Sequence, residues 1–135
     1  MAVDLGQWVA EYLEAEPNPD FDGHRDLPRR FLELSEEERL AAIADDPRYA
    51  HIVCRCEHVS EAEVLETIHS IIPATTIVGV KRRCRAGTGR CQGGFCEPLI
   101  TEILARELGI PINQVRLAGP DSEVAPFLRG EVQHD

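Results

Sequence analysis

The sequence predicts an all-α fold, and three of its features support that assignment. Apolar residues recur at helical spacing in several segments, S-x-x-E capping boxes precede two of them, and no stretch shows the alternation typical of a strand. The chain has 135 residues, the length of one compact domain with an appended arm. It contains no internal repeat and no low-complexity tract. We therefore expect a small helical domain.

Residues 1–51 are predicted to form an acidic N-terminal arm that contains the first two helices. Residues 3–15 form an amphipathic helix. Its apolar face carries Leu5, Trp8, Val9, Tyr12 and Leu13. Residues 17–34 contain three prolines and little periodicity, which indicates an irregular connection.

The second helix is predicted to begin at Ser35, where Glu38 completes a capping box. Asp46-Pro47 ends it. This helix is expected to bury Leu40, Ile43 and Ala44. The sequence YAHIVCRC then continues as a short extended segment.

Residues 52–118 are predicted to form the main domain, with three further helices. Ser60 and Glu63 make a second capping box, which opens a helix that buries Val64, Leu65 and Ile68. Thr75 or Thr76 caps the next helix, which is expected to run to Ala86 and to stop at Gly87. Its buried face carries Ile77, Val80 and Cys84.

The last predicted helix begins near Cys96, has Pro98 in its first turn and stops at Gly109. It is expected to bury Leu99, Ile100, Ile103 and Leu104. Residues 111–117 form one more turn, and residues 119–135 are predicted to be a loose tail.

The net charge of −10 restricts the classes of partner. The excess acid lies mainly in residues 1–53, so nucleic-acid binding by the whole chain is disfavoured. The N-terminus lacks the features of a signal peptide, and no segment approaches the roughly 20 apolar residues of a membrane span. We expect the protein in the cytoplasm, or at the cytoplasmic face of the membrane through its partners.

All five cysteines lie between residues 54 and 96. Two close pairs are present, C-x-C at Cys54 and Cys56 and C-x4-C at Cys91 and Cys96, and each lies in a predicted loop next to a helix. In the cytoplasm thiols stay reduced, and clustered cysteines bind metal more often than they form disulfides. Four thiols from two loops therefore predict a metal or iron–sulfur site.

The residues alone leave three interpretations of this site open. One is a [2Fe–2S] cluster in which each close pair holds one iron, with N–H groups at the last helix's N-terminus donating to the sulfurs. Another is a structural zinc site, although zinc-binding pairs usually have two to four intervening residues and C-x-C has one. The third is a docking or regulatory module in which electron flow is secondary.

Other residues near the cysteines have less specific roles. Cys84 lies on an apolar helix face and is predicted to be a core residue rather than a fifth ligand. Glu57 and His58 are interpreted as loop residues. The basic residues Lys81, Arg85 and Arg90 are expected to offset the charge of an anionic cluster or to dock an acidic partner, whereas Arg82 and Arg83 can equally be solvated. The histidines predicted to be structural are His24, His51, His69 and His134.

The segment CRCEHVS…VKRRCRAGTGRCQGGFC resembles the BFD-like (bacterioferritin-associated-ferredoxin-like) [2Fe–2S] domain. It is most similar to the form at the C-terminal end of FAD-dependent oxidoreductases such as the large subunit of anaerobic glycerol-3-phosphate dehydrogenase. The resemblance covers residues 52–117, and the preceding segment is similar to the connector found there. It implies a helix-turn-helix-like core with the cluster near its surface. The family's cluster cysteines fall on Cys54, Cys56, Cys91 and Cys96, and Cys84 stands where threonine is usual.

The resemblance also implies a function in electron transfer. A domain of this kind passes single electrons from a flavin to an acceptor, which is a further iron–sulfur subunit or the quinone pool. The FAD would be bound by a partner subunit or by a domain that these 135 residues do not contain. We identify no catalytic residue, so we expect no activity of this chain alone, and we expect a FAD-dependent dehydrogenase as its partner.

Overall fold

A computed structural model of the chain describes residues 2–16, 18–20 and 29–124. These residues are mainly helical, which confirms the predicted fold class. The helices are α1 (Ala2–Tyr12), α2 (Glu36–Asp45), α3 (Glu61–Ile68), α4 (Ile77–Cys84) and α5 (Glu97–Leu108), and the strands are β1 (Ile52–Cys54) and β2 (Val59–Ser60). Single 3-10 turns occupy Phe31–Glu33, Pro47–Ala50 and Ile112–Gln114. No helix in the described ranges is long and apolar enough to cross a membrane.

The core lies between α3, α4, α5 and the two short strands. Its fully buried aliphatic side chains come from each of these elements and from the segment after α5. They are Val53, Val59, Val64, Val80, Ile100, Leu104 and Val115. One contiguous apolar cluster therefore supports both cysteine loops.

The predicted capping box at the start of α3 is present and connects this helix to the arm. Ser60 Oγ accepts a hydrogen bond from the backbone N–H of Glu63, and the Glu63 carboxylate accepts one from the N–H of Ser60 at 2.7 Å. The same carboxylate accepts the backbone N–H of Phe31 at 3.0 Å. Both Glu63 and Phe31 are buried. A helix-starting motif therefore also fixes a residue about 30 positions earlier in the chain.

A small antiparallel sheet precedes α3, and the sequence did not predict it. Cys54 of β1 pairs with Val59 of β2, and Ile52 pairs with Ser60. The strands have only three and two residues, too few to show an alternating pattern. The hairpin turns through His58, whose φ of 51° lies in the left-handed region.

Helix α2 is capped as predicted, but its apolar side chains are not in the core. Ser35 and Glu38 form the capping box, and the helix ends at Asp46. Leu40 is 62% exposed, Ala44 is also exposed, and Ile43 is half-buried. The prediction of burial was wrong for Leu40 and Ala44 because α2 packs mainly on the turn Pro47–Ala50, beside the core rather than over it.

Helix α1 forms where a helix was predicted but ends at Tyr12, three residues before the predicted end, and its apolar face is exposed. Every residue from 4 to 16 is exposed to solvent. Trp8 and Tyr12 stack on each other with ring centroids 5.6 Å apart. Within the described ranges, no other element covers this face. The remainder of the predicted irregular connection includes residues 17 and 21–28, which lie outside the described residues.

Helices α4 and α5 follow the prediction except at one end. Thr76 is the residue that caps α4, since its Oγ1 accepts the N–H of Gly79 at 3.1 Å. The helix ends at Cys84, two residues earlier than predicted, because Arg85 adopts a left-handed φ of 67°. Gly109 terminates α5 as expected, with a φ of 63°. The residues predicted to be buried in α5 are buried except for Leu99, which is half-buried.

The segment after α5 contains the predicted additional turn, Ile112–Gln114. The described part of the predicted tail, residues 119–124, turns back on this segment. The N–H of Leu117 donates to the carbonyl of Ser122 at 2.7 Å, and the N–H of Val124 donates to that of Val115 at 2.9 Å. Residues 125–135 lie outside the described residues.

Candidate metal centre

Two loops bring four of the five cysteines to one side of the core. Cys54 ends β1, and Cys56 follows it in the hairpin turn. Cys91 lies in the loop between α4 and α5, and Cys96 is the N-cap of α5. All five cysteines are free thiols.

The sulfurs approach one another between the loops. The Sγ atoms of Cys56 and Cys91 are 3.6 Å apart, and both residues are exposed. Cys54 and Cys96 are each only 1% exposed, and burial, with the neighbouring Cys54 and Cys91, raises the pKa of Cys96. The structure therefore brings the four predicted site cysteines together on two facing loops, and the contact between Cys56 and Cys91 joins one loop to the other.

Glycines allow this close approach. A Cβ atom on Gly89 would lie 2.3 Å from the Cβ of Cys56, far inside van der Waals contact, so no larger residue fits where the two loops meet. Gly93 has a φ of 94°, in the region that favours glycine, and is buried next to Glu97. The glycine-rich sequence around Cys91 is thus required by the packing of one loop on the other.

The surroundings of Cys91 and Cys96 shift their pKa values in opposite directions. The backbone N–H groups of Phe95 and Gly93 donate to the sulfur of Cys91 and, with the thiol of Cys56, lower the pKa of Cys91. Burial, together with the adjacent Cys54, raises the pKa of Cys96 to about 12. The N–H donors belong to the loop before α5 rather than to the helix itself. A cationic metal centre would stabilise the thiolate forms of both residues.

The chemistry of the donor set fits a metal centre. A tetrathiolate zinc site needs four sulfurs around one ion. An all-cysteine [2Fe–2S] cluster uses four thiolates as well, and it is the other centre that these residues could hold. In the described part of the chain, no group of three or more His, Cys, Asp or Glu side chains is arranged around a single ion.

Comparison with protein-family models matches residues 52–106 to the family described as BFD-like [2Fe-2S] binding domain. All four converging cysteines lie within this range. Residues 52–106 belong to the BFD-like [2Fe–2S] domain family. The [2Fe–2S] cluster that this family binds is consistent with the all-cysteine donor set described above.

The chain is similar to parts of longer proteins and spans about a quarter of their length or less. Glycerol 3-phosphate dehydrogenase of Caloramator mitchellensis is 43% identical over 133 residues, which are 98% of this chain and 27% of that protein. An opine oxidase component from Rhizobium meliloti is 34% identical over 50% of this chain and 15% of its own length. A component of hydrogen cyanide synthase, HcnB, from Pseudomonas aeruginosa is 34% identical over 53% of this chain and 15% of its own length. No solved structure matches the chain.

Cys84 lies apart from the other cysteines. It packs against the core cluster, and its Sγ donates to the backbone carbonyl of Val80 at 3.4 Å. Burial raises the pKa of Cys84 to about 11, so this thiol stays protonated at neutral pH. These contacts agree with the predicted role as a core residue.

The predicted basic residues differ in their positions. Lys81 lines a small cleft beside Cys96. The Arg85 guanidinium bonds to the Glu57 carboxylate at 2.9 Å, and its charge is therefore partly neutralised. Arg90 is exposed in the loop next to Cys91. Arg82 is exposed, and Arg83 donates to the carbonyl of Thr67 at 3.4 Å.

The structure adds residues that sequence reasoning missed. Arg30 donates to the backbone carbonyl of Glu57 at 2.7 Å, so the arm holds the residue directly after Cys56. Across the site, the Arg55 guanidinium lies 4.6 Å from the centroid of the exposed Phe95 ring. Neither contact has a local sequence signal, because each joins residues that are far apart in the chain.

The described histidines other than His58 are bonded to carboxylates. His51 Nδ1 lies 2.6 Å from Glu61 Oε2, and His69 Nε2 lies 2.8 Å from Glu107 Oε2. Glu61 is the first residue of α3 and Glu107 lies in the last turn of α5, so each histidine is bonded to the end of a helix. His24 and His134 lie outside the described residues.

Proposed function

We propose that Cys54, Cys56, Cys91 and Cys96 bind the [2Fe–2S] cluster and that the chain transfers single electrons for a dehydrogenase. The observation that carries the proposal is the meeting of four thiols from two loops, with a separation of 3.6 Å between the Cys56 and Cys91 sulfurs. Two thiolates on the same metal, with bonds of about 2.3 Å and tetrahedral angles, lie about this far apart. Two of the thiols reach the surface, which gives a redox partner access to the cluster.

The donor in this proposal is the flavin of a FAD-dependent dehydrogenase domain or subunit, and the acceptor is a further iron–sulfur subunit or the quinone pool. Support comes from the Caloramator relative, whose name is that of a glycerol 3-phosphate dehydrogenase and whose chain is much longer than this one. The BFD-like chain would supply the cluster, while flavin binding and substrate oxidation would belong to the partner. The proposed domain is residues 52–118, preceded by the arm 1–51 and followed by the tail 119–135.

The first experiment measures iron, acid-labile sulfide and zinc in one sample of anaerobically purified protein. We expect about two irons and two sulfides per chain, and visible absorption that dithionite bleaches. Replacing Cys91 with alanine should remove the cluster, whereas the matched variant Cys84→Ala should retain it. Colourless protein with one zinc per chain would refute the proposal in favour of a structural zinc domain.

The exposed face of α1 favours docking as a second function of the same chain. Leu5, Trp8 and Tyr12 are between 59% and 75% exposed, although each is largely apolar. The match to the Caloramator protein extends through this helix. A suitable probe is the part of that dehydrogenase outside the matched segment. If a chain with all four site cysteines changed to serine still bound this probe and Trp8→Ala did not, docking would be independent of the cluster.

A further inference from the structure

The carboxylate of the residue directly after Cys56 lies between two guanidinium groups. Arg85 Nε donates to Glu57 Oε2 at 2.9 Å, and Arg30 Nη2 lies 3.8 Å from the same oxygen. Arg30 Nη2 also donates to the backbone carbonyl of Glu57 at 2.7 Å. The Glu57 side chain is only 17% exposed, so salt screens these interactions less than it screens a pair at the surface. Two positive charges therefore face one negative charge at the turn between β1 and β2.

Arg30 belongs to the arm, and the next residue, Phe31, fixes its position. The N–H of Phe31 donates to the Glu63 carboxylate at 3.0 Å, and its ring stacks on Tyr49 with centroids 5.4 Å apart. Phe31 is buried. Because Arg30 directly precedes this anchored residue, packing outside the two cysteine loops places its guanidinium at the turn. Arg30 also lies outside residues 52–106, the range of the family match.

The charges at this turn bear on the reduction of the proposed cluster. A [2Fe–2S] cluster with four thiolates is anionic, and one electron from dithionite or a reduced flavin adds a further negative charge to it. The carboxylate of Glu57, next in the chain to Cys56, opposes that addition, and a guanidinium that offsets the carboxylate favours it. The reduction potential of such a cluster depends on the net charge and the hydrogen bonds around it. Removal of one positive charge here should therefore make reduction less favourable.

We propose that Arg30 is a positioning residue for the cluster: it holds the turn next to Cys56 and raises the reduction potential by offsetting the charge of Glu57. This inference rests on the ligand set of the proposed function. Two guanidinium groups and one carboxylate leave a net charge of +1 on these three side chains, and the loss of Arg30 makes it zero. The arm thus has a role in electron transfer that does not depend on docking by α1.

A redox titration of the full-length, anaerobically purified chain tests this proposal. The midpoint potential is measured from the visible absorption in the presence of mediators, with dithionite as the reductant. We expect Arg30→Gln to shift the midpoint to a more negative value and Glu57→Gln to shift it to a more positive one. The matched control is Arg29→Gln, which removes the same charge one residue earlier from an exposed pair with Glu38, and its midpoint should equal that of the unchanged chain. The variant Arg30→Lys keeps the positive charge and should stay close to the unchanged midpoint.

The opposite directions of the two shifts separate this role from a merely structural one. Both Arg30→Gln and Glu57→Gln break the same ion pair, so a structural role would move both midpoints in one direction or leave them unchanged. Either result would overturn the proposal. An equal shift in Arg29→Gln would also overturn it, because the effect would then belong to the overall charge of the chain.

The design also keeps this inference distinct from the proposed function. If Arg30→Gln does not fold, the expected positive shift of Glu57→Gln and the unchanged midpoint of Arg30→Lys still test the proposal. When the unchanged chain contains iron and sulfide but the shifts are absent, the role of Arg30 is refuted and the electron-transfer proposal stands. Absence of iron and sulfide from the unchanged chain would refute both.

Discussion

Gly89 occupies the point where the two cysteine loops are closest, and its replacement by alanine is a sharp test of the site geometry. The new Cβ would lie 2.3 Å from the Cβ of Cys56, whereas carbon atoms in contact are about 3.5 to 4.0 Å apart. The loops would therefore have to separate by roughly 1.2 Å or more. Such a movement is large compared with the tolerance of about 0.2 Å on metal–sulfur bonds, so the thiols of the two loops could no longer bind one cluster together.

We expect the variant Gly89→Ala to lose most of its iron and sulfide after anaerobic reconstitution. Overpacking should also lower the free energy of unfolding of the cluster-free chain by about 1 to 3 kcal/mol, measured by urea denaturation. The matched control is Gly119→Ala, since a Cβ at Gly119 would meet nothing within 4 Å. If both variants retained equal iron and equal unfolding free energies, the close approach of the loops would not be a requirement of the site.

Three further results are expected. In the cluster-free chain, mild oxidation by diamide should form a disulfide between Cys56 and Cys91, because their sulfurs need only move from 3.6 Å to about 2.05 Å apart. Non-reducing peptide mapping measures this, and a disulfide between Cys56 and another residue would contradict the prediction. In the same chain, iodoacetamide should modify Cys91 near neutral pH because its pKa is lowered. Modification of the half-buried Cys84 should rise about tenfold per pH unit towards its pKa of about 11, as followed by mass spectrometry. Equal rates for Cys84 and Cys91 at pH 7 would refute the assigned environments. Replacing Ser60 with alanine should lower the global free energy of unfolding by about 1 kcal/mol. The variant Ser35→Ala should lower it by less, because α2 buries none of its residues. Equal losses in the two variants would contradict this prediction.

The sequence predicts best those parts of the fold that depend on neighbouring residues. Both capping boxes, at Ser35 and at Ser60, form as predicted because the motif acts within one helical turn. Gly109 ends α5 for the same local reason. The end of α4 was missed because Arg85, a residue with no preference for positive φ, takes the position expected of Gly87.

Features that depend on tertiary packing could not be predicted in this way. Leu40 has the spacing of a core residue, but no neighbouring element in the described ranges covers it. The strand pair from Ile52 to Ser60 is too short for a pattern to appear. The cysteine spacing identifies which residues form the candidate site. How their sulfurs pair depends on the relative placement of two loops that are 35 residues apart in the chain.

The contacts of Arg30 and Phe31 determine where a shortened version of this protein should begin. A fragment starting at residue 52, where the family match starts, would leave Glu63 without the Phe31 N–H and the Glu57 carbonyl without the Arg30 guanidinium. Water would then reach a carboxylate that the arm now shields. A fragment starting at residue 29 keeps both contacts and discards the exposed helix α1, which makes it the more suitable starting point for crystallisation and spectroscopy.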